Sequence, residues 1–289
     1  MAIPESQLER WSHKGAVTTA KQTHESIRTA LKAYNWPSEV QYEVYLQGSY
    51  KNDTNIRGDS DVDVVVQLNS AFCSNLSDDW KRYFGFTAAT YGWSAFRDDV
   101  LKALRDYYGN SKVKEGKKAL KVTTPYLPAD VVVCIQYRKY PNHPRDADDF
   151  IEGMTFYVPS EGRWVINYPK LHYENGVKKN QDTNERYKPT VRMFKNARTY
   201  LVERGVIPAD LAPSYFLECL LYNVPNDKFG KTYQDTFCNI VDWLFKADLS
   251  KFVCQNEQLP LFGSLPEQWS VTRAKDFLQS MLDLWKNWR

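Results

Sequence analysis

Residues 46–66 read LQGSYKNDTNIRGDSDVDVVV, and this stretch says most about the fold. Asp61 and Asp63 lie one residue apart and lead into an apolar, β-branched run that is typical of a buried strand. Because side chains alternate along a strand, the two carboxylates point to the same face and can hold one metal site together. Upstream, Gly48 allows the backbone to approach a phosphate closely, and Ser49 adds a hydroxyl donor.

A third acidic residue, Asp130, precedes another run of valines in the segment ADVVV at residues 129–133. Three carboxylates and a phosphate-binding Gly-Ser pair are the parts that two-metal nucleotidyl transfer needs. Plain alternatives exist, since Asp-x-Asp pairs also occur in solvated loops and a single aspartate can cap a strand. A charge beside an apolar strand is costly without a partner, so we interpret the three aspartates as a metal site.

Composition sets limits on the class of protein. The 289 residues suffice for one large domain or two packed lobes. A net charge of +3 argues against a long nucleic-acid track, which usually needs a strongly basic surface. No apolar run reaches the length of a membrane span, and the N-terminus does not resemble a signal peptide. The five scattered cysteines form no C-x-x-C pair, so we expect thiols in a reducing cytoplasm.

Apolar periodicity predicts an α+β protein with a helical C-terminal part. Helical spacing covers residues 5–34 and 93–108, and strand patterns cover residues 40–46, 62–68, 119–122, 129–136, 155–159 and 164–167. The segment 138–153 is charged, contains two prolines and is expected to be a surface loop. After about residue 185 only helical stripes follow, so we predict a first lobe at 1–184, with a long N-terminal helix, and a second lobe at 185–289.

The Gly48-Ser49 pair, the Asp61-x-Asp63 pair and the later strand residue Asp130 resemble the DNA polymerase β-like nucleotidyltransferase superfamily. The stretch from Gly48 to Asp63 is similar, more narrowly, to the bacterial cGAS/DncV-like nucleotidyltransferases (CD-NTases), and to their CdnE-like clade. The resemblance implies a mixed sheet with flanking helices, and a helical lobe that completes a nucleotide-binding cleft. It also implies that the protein is an oligonucleotide cyclase of the kind that acts in anti-phage signalling.

The resemblance implies a role for each motif residue. Asp61, Asp63 and Asp130 would be the catalytic and metal-binding residues for two Mg²⁺ ions, with Mn²⁺ as an alternative. Substrate contacts would come from the motifs in order along the chain, namely Gln47, Gly48, Ser49, Asn167, Lys195, Ser214 and Tyr215.

Four of these residues have plainer readings that remain open. Lys195 would meet the triphosphate, although it could be a solvated surface lysine. Ser214 would touch the same triphosphate, or simply begin a helix after Pro213. Tyr215 would stack on a base, or belong to the core. Asn167 follows a short strand that borders the base pocket in the resembled family, where its carboxamide would match the N3–H and O4 of uracil, or it could cap a turn.

The sequence therefore predicts a metal-dependent synthase that joins nucleoside triphosphates, with UTP and ATP expected, into a cyclic dinucleotide of the cyclic UMP-AMP or cyclic di-UMP type. We expect a cytoplasmic monomer that needs no long nucleic acid and no membrane, and whose product is read by a downstream effector. Two alternatives remain at this stage. One is a template-independent transferase that extends an oligonucleotide or RNA end, and the other is an inactive nucleotide-binding or antitoxin protein.

Overall fold

The computed structural model describes residues 2–58 and 60–288, and its centre is a mixed sheet of seven strands. The strands are β1 (Tyr42–Leu46), β2 (Val62–Ser74), β3 (Val113–Glu115), β4 (Leu120–Val122), β5 (Ala129–Lys139), β6 (Ile151–Val158) and β7 (Arg163–Asn167). They are ordered β1-β2-β5-β4-β3, and β6 pairs with both β5 and β7. Only β2 and β5 run parallel, and their register places Asp63 beside Asp130.

Ten α-helices accompany the sheet in the described part of the chain. They are α1 (Glu5–Ser12), α2 (Thr18–Lys32), α3 (Gly48–Asn52), α4 (Asp78–Tyr83), α5 (Trp93–Tyr108), α6 (Pro169–Asp182), α7 (Tyr187–Glu203), α8 (Ser214–Tyr222), α9 (Tyr233–Lys246) and α10 (Val271–Lys286). The α+β prediction is confirmed, with helices alone after β7.

The chain forms two compact units, which are described separately here. The sheet unit comprises Ala16–Lys51 and Gly58–Leu171, and the helical unit comprises the N-terminal segment up to Gly15, Asn52–Arg57 and the chain from His172 onwards. The predicted boundary at 184/185 therefore differs from the observed division, which also moves two early segments into the helical unit. The first segment belongs there because Ile3 and Leu8 are fully buried in its core, and the second because Asn52 and Thr54 donate hydrogen bonds to Glu218 on α8.

Within the sheet unit, apolar residues cover both faces of the sheet. Helices α2 and α5 pack on one face, where Val62, Val64 and Val66 are fully buried. The alternate residues Val65 and Val132 belong to a smaller cluster on the other face. Asp63 and Asp130 precede these two valines by two residues, so their side chains lie on this second face.

The continuous helix predicted for residues 5–34 is wrong, because the chain breaks between Ser12 and Thr18. Gly15 passes so close to the 55–57 segment that an added Cβ would lie 2.9 Å from the Arg57 carbonyl carbon. The backbone N–H of Gly15 donates to the Asn55 carbonyl at 3.0 Å. Close tertiary approach, which periodicity does not report, ends the first helix.

Helix α6 was also missed, and its sequence explains why. The segment PKLHYENGVKKNQD buries His172, Gly176 and Asn180, so its inward face is polar. Hydrophobic periodicity detects apolar stripes and therefore cannot find such a helix. The surface loop predicted for 138–153 is shorter than expected, because β5 extends to Lys139 and β6 begins at Ile151.

Candidate active site

Three charged residues form a row across three neighbouring strands of the sheet unit. Asp63 on β2 lies beside Asp130 on β5, and Asp130 lies opposite Lys121 on β4. Neighbouring strands are about 4.8 Å apart, so the three side chains stand next to one another on one face. The Lys121 ammonium donates to Asp130 Oδ1 at 3.1 Å and to Oδ2 at 3.4 Å.

Asp61 lies just before β2 and is exposed, and its carboxylate has no hydrogen-bond partner among the described residues. The hydrogen bond and the charge of Asp130 raise the pKa of Lys121, and the charges of Asp61 and Asp63 raise it further. The three carboxylates therefore act on one cation. Within the described residues, no three His, Cys, Asp or Glu side chains are gathered closely enough to hold a metal ion.

Gly48 occupies a position that no other residue could fill without strain. Its φ is +66°, and an added Cβ would lie 2.1 Å from Asp63 Oδ2. The preceding residue, Gln47, donates its backbone N–H to the Asp63 carbonyl at 3.0 Å, which fixes this approach. Ser49 follows in α3, and its hydroxyl has no hydrogen-bond partner within the described parts of the chain. The sequence-predicted glycine, serine and aspartate are thus brought together.

In the helical unit, Lys195 on α7 is buried, with 1% of its surface exposed. Its ammonium donates to Glu218 Oε1 at 2.5 Å and to the carbonyl and hydroxyl oxygens of Thr54, each at 3.2 Å. The sequence left two interpretations of this lysine open, a contact with the triphosphate or a solvated position at the surface. The structure instead gives it a carboxylate partner inside the unit, and a direct phosphate contact stays a prediction.

Glu218 on α8 is the acceptor for four donors. Besides Lys195, Thr54 donates to Oε1 at 2.6 Å, and Asn52 and His172 meet Oε2 at 3.2 and 3.1 Å. Burial opposes ionisation of Glu218, yet the Lys195 charge and the hydrogen bonds outweigh it and hold the pKa well below its usual range. Sequence reasoning missed this cluster, although a glutamate inside the apolar run FLECLLY indicates a buried partner.

The structure places Ser214 and Tyr215 at the start of α8. Ser214 is exposed and begins the helix after Pro213, as expected. The Tyr215 ring stacks on the His172 ring, with centroids 5.2 Å apart, and the Trp269 ring lies 5.7 Å away. Tyr215 therefore already has aromatic neighbours, and stacking on a base stays a prediction.

Asn167 is the last residue of β7, where it pairs with Met154. Its side-chain carbonyl accepts the backbone N–H of the next residue, Tyr168, at 2.8 Å. An asparagine that stabilises a turn bonds the backbone two residues on, so this bond does not establish the turn-capping alternative. The amide NH₂ of Asn167 donates to none of the described residues and keeps two donors that a ligand could use.

Comparison with known proteins covers both parts of the chain. A model of the nucleotidyltransferase domain matches residues 25–146, and a model of the cGAS/DncV-like nucleotidyltransferase C-terminal helical domain matches residues 174–286. None of the described helices has both the length and the apolar character that crossing a membrane requires.

Several relatives align over the full length of the chain. The cyclic UMP-AMP synthase of Rhodothermus marinus is 69% identical and is aligned over 100% of this chain and 99% of its own. The cyclic nucleotide synthase CdnE01 of Staphylococcus haemolyticus is 41% identical over all of both chains. A solved structure of the Rhodothermus marinus CdnE c-UMP-AMP synthase with Apcpp and Upnpp superposes with a TM-score of 0.97 at 70% identity, covering 99% of this chain and 97% of the other. The protein therefore belongs to the cGAS/DncV-like nucleotidyltransferases, as a CdnE-like member of that family.

Proposed function

We propose that this enzyme joins UTP and ATP into cyclic UMP-AMP. Its membership of a family of cyclic nucleotide synthases confirms the predicted enzyme class. One observation supports the specific product: a cyclic UMP-AMP synthase shares 69% of residues over the whole length. The Gly48, Asp63 and Asp130 geometry supplies the local chemistry for such a reaction.

Asp61, Asp63 and Asp130, which we call the carboxylate row, carry the donor atoms that divalent cations use, and holding such an ion would bring the three side chains closer together than they lie in the structure. Carboxylate oxygens are the ligands that Mg²⁺ and Mn²⁺ prefer, and Mg²⁺ usually binds through a few carboxylates together with substrate phosphates. Lys121 shows that the three carboxylates attract a cation jointly, since all three raise its pKa. We propose that Asp61, Asp63 and Asp130 hold two Mg²⁺ ions, or Mn²⁺, together with the triphosphate.

The proposed chemistry is the attack of a ribose hydroxyl on the α-phosphorus of a triphosphate. Each attack forms one P–O bond, releases pyrophosphate and frees the hydroxyl proton, and a second attack closes the ring. When bound, the metal ions would neutralise phosphate charge and lower the pKa of the attacking hydroxyl. The chain contributes the close backbone approach at Gly48, the Ser49 hydroxyl, which has no hydrogen-bond partner among the described residues, and the carboxylate row.

Further substrate contacts are proposed for Gln47, Ser214, Lys195 and Tyr215. Gln47 and Ser214 lie beside the glycine and at a helix start, respectively, where phosphate oxygens could be bound. A contact between Lys195 and a triphosphate requires its ammonium to leave Glu218. Base stacking by Tyr215 requires a nucleotide to compete with the neighbouring His172 and Trp269 rings. We further propose a cytoplasmic, monomeric enzyme whose product is read by an effector in anti-phage defence, without a long nucleic acid.

The test is a reaction of the purified protein with all four NTPs and Mg²⁺, followed by phosphatase treatment and mass spectrometry. A phosphatase-resistant product with the mass of cyclic UMP-AMP supports the proposal. Products that contain only purines, or long oligomers, contradict it. The double variant Asp61→Asn/Asp63→Asn should fold and give no product, whereas the control Asp276→Asn/Asp283→Asn, which changes two exposed residues of α10, should match the wild type.

A further inference from the structure

The sheet unit contains an open cleft, which we name the α2–α5 cleft. Its volume is about 760 Å³, within the range of small-molecule sites. Helix α2, the end of α5 and the segment after β4 form its walls. Lys21 and Gln22 of α2, Tyr107 of α5, Lys112 and Tyr126 are among its lining residues.

Hydrogen bonds fix the walls of this cleft. The hydroxyls of Ser26 on α2 and Tyr108 on α5 lie 2.6 Å apart. Thr23 of α2 exchanges two bonds with the backbone of Leu127, accepting its N–H at 3.1 Å. Thr124 bridges the same loop, donating to the Leu127 carbonyl at 2.7 Å and accepting the Tyr126 N–H. The cleft is thus a built feature that does not depend on a ligand.

The cleft presents unpaired cations. The ammonium groups of Lys21 and Lys112 have no ion-pair or hydrogen-bond partner among the described residues, and neither does the Gln22 amide. The acidic lining residue Glu25 is compensated by Arg28, at 3.1 Å. The cleft therefore carries a net positive charge, which favours a ligand with phosphate groups.

Two tyrosine rings that line the cleft are about half exposed to solvent. Tyr107 is 48% exposed and Tyr126 is 47% exposed, which is high for aromatic side chains that line a cleft. An inorganic anion would leave these rings unused, and an apolar ligand would leave the two ammonium groups unpaired. A nucleoside phosphate uses both features, because bases stack on aromatic rings and phosphates pair with lysines.

We propose that the α2–α5 cleft is a second nucleotide site, in which Tyr107 and Tyr126 receive the base and Lys21 and Lys112 receive the phosphates. The site is separate from the carboxylate row and does not need its metal ions. Binding at such a site would let the concentration of nucleotide regulate the activity of an enzyme that consumes nucleotides.

The test measures binding of ATP by calorimetry to the Asp61→Asn/Asp63→Asn variant in EDTA, so that metal-dependent binding at the carboxylate row is removed. We expect one ATP per chain, with affinity lowered about tenfold or more by Tyr126→Ala and by Lys21→Ala/Lys112→Ala. Adenosine alone and inorganic triphosphate alone should each bind more weakly than ATP.

The matched controls are Tyr83→Ala, a 77% exposed tyrosine on α4, and Lys32→Ala, an exposed lysine of α2 outside the cleft. Neither should change ATP affinity, and circular dichroism should show that all variants fold. The proposal is overturned if the metal-site variant binds no ATP, if the cleft substitutions have no effect, or if inorganic triphosphate binds as tightly as ATP.

Discussion

Three single residues of the sheet unit make contacts from which predictions follow. Lys121 hydrogen-bonds Asp130 at 3.1 Å and has a mostly exposed side chain, so its ammonium is a cation at the place where we propose metal ions. Gly48 leaves no room for a side chain against Asp63. Asn167 bonds the backbone N–H of Tyr168 and keeps two amide donors that bond none of the described residues.

Removing Lys121 should strengthen metal binding. In Lys121→Ala the ammonium no longer competes for Asp130, and an exposed ion pair contributes up to about 1 kcal/mol, so Mn²⁺ should bind up to about fivefold tighter. Electron paramagnetic resonance titration of Mn²⁺ without nucleotide measures this directly. Lys114→Ala on β3 removes the same charge from a neighbouring strand as the control. Unchanged or weaker Mn²⁺ binding in Lys121→Ala would contradict the competition.

Gly48→Ala should lower the free energy of unfolding more than Gly85→Ala does. Both glycines have a left-handed φ, at +66° and +70°, so both variants carry about 1–2 kcal/mol of backbone strain. Only at Gly48 does the added carbon meet Asp63, whereas nothing lies within 4 Å at Gly85. Urea titration of the two variants compares them. Equal losses would show that the approach of Gly48 to Asp63 does not constrain the fold.

Asn167→Ala should reduce the use of UTP in an equimolar mixture of the four NTPs. A site that hydrogen-bonds a base loses discrimination when the partner is removed, on the order of 10²-fold in rate ratio. The smaller side chain also leaves room for purines. The measurement is the product ratio by mass spectrometry, with Asn110→Ala as an exposed control in the same unit. An unchanged ratio would show that Asn167 does not select the base.

At the scale of elements, the Glu218 cluster joins α6, α7, α8 and the 52–57 segment within the helical unit. One carboxylate receives Lys195, Thr54, Asn52 and His172, so four donors converge on two oxygens. Removing one partner of a buried ion pair leaves an uncompensated charge, which costs more than the pair contributes.

Glu218→Gln should therefore lower the free energy of unfolding by about 3–5 kcal/mol, since one amide nitrogen would face donors and Lys195 would lose its counter-charge. Glu218→Gln combined with Lys195→Met, which removes the uncompensated ammonium while the amide oxygen still accepts hydrogen bonds, should recover much of the loss. Thermal unfolding measures both variants. Stability of the double variant below that of Glu218→Gln would contradict this account.

The same cluster predicts how stability depends on pH. The folded-state pKa of Glu218 is lowered from its ordinary value of 4.5, so its contribution is fully present above that value and is lost as pH falls towards the lower folded pKa. The difference in unfolding free energy between wild type and Glu218→Gln should thus be constant near pH 7 and shrink below about pH 4.5. A difference that persists undiminished in acid would show that Glu218 is not ionised in the fold.

At the scale of the whole molecule, the helical unit is built from three separate stretches of chain. Ile3 and Leu8 are fully buried in its core, Arg192 donates to the Ser12 and Asp53 carbonyls, and Asn196 donates to the Trp11 carbonyl. A fragment of residues 172–289 lacks all of these partners and exposes the apolar surface that they cover.

We expect the fragment 172–289 to bind a hydrophobic dye and to show no cooperative thermal transition, in contrast to the full chain. Calorimetry and dye fluorescence measure this, with the full-length protein as reference. The expectation fails if the fragment unfolds cooperatively without binding dye, which would mean that residues 1–15 and 52–57 are dispensable for the unit.

The sequence by itself determined the elements whose signals are local. Runs of consecutive valines located β2 and β5, helical spacing located α5 at its observed bounds, and the Gly48-Ser49 and Asp61-x-Asp63 motifs identified the catalytic family. These features follow from side-chain periodicity and from residue chemistry, which need no knowledge of distant contacts.

Only the tertiary structure decided what depends on contacts between distant residues. It brought Lys121 to Asp130, surrounded Glu218 with four donors, ended α1 at the approach of Gly15 to the 55–57 segment, and placed residues 1–15 and 52–57 with the C-terminal helices. It also revealed α6, whose buried face is polar. Each outcome depends on contacts between residues that are far apart in the chain, and such contacts are a property of the folded chain that local pattern does not contain.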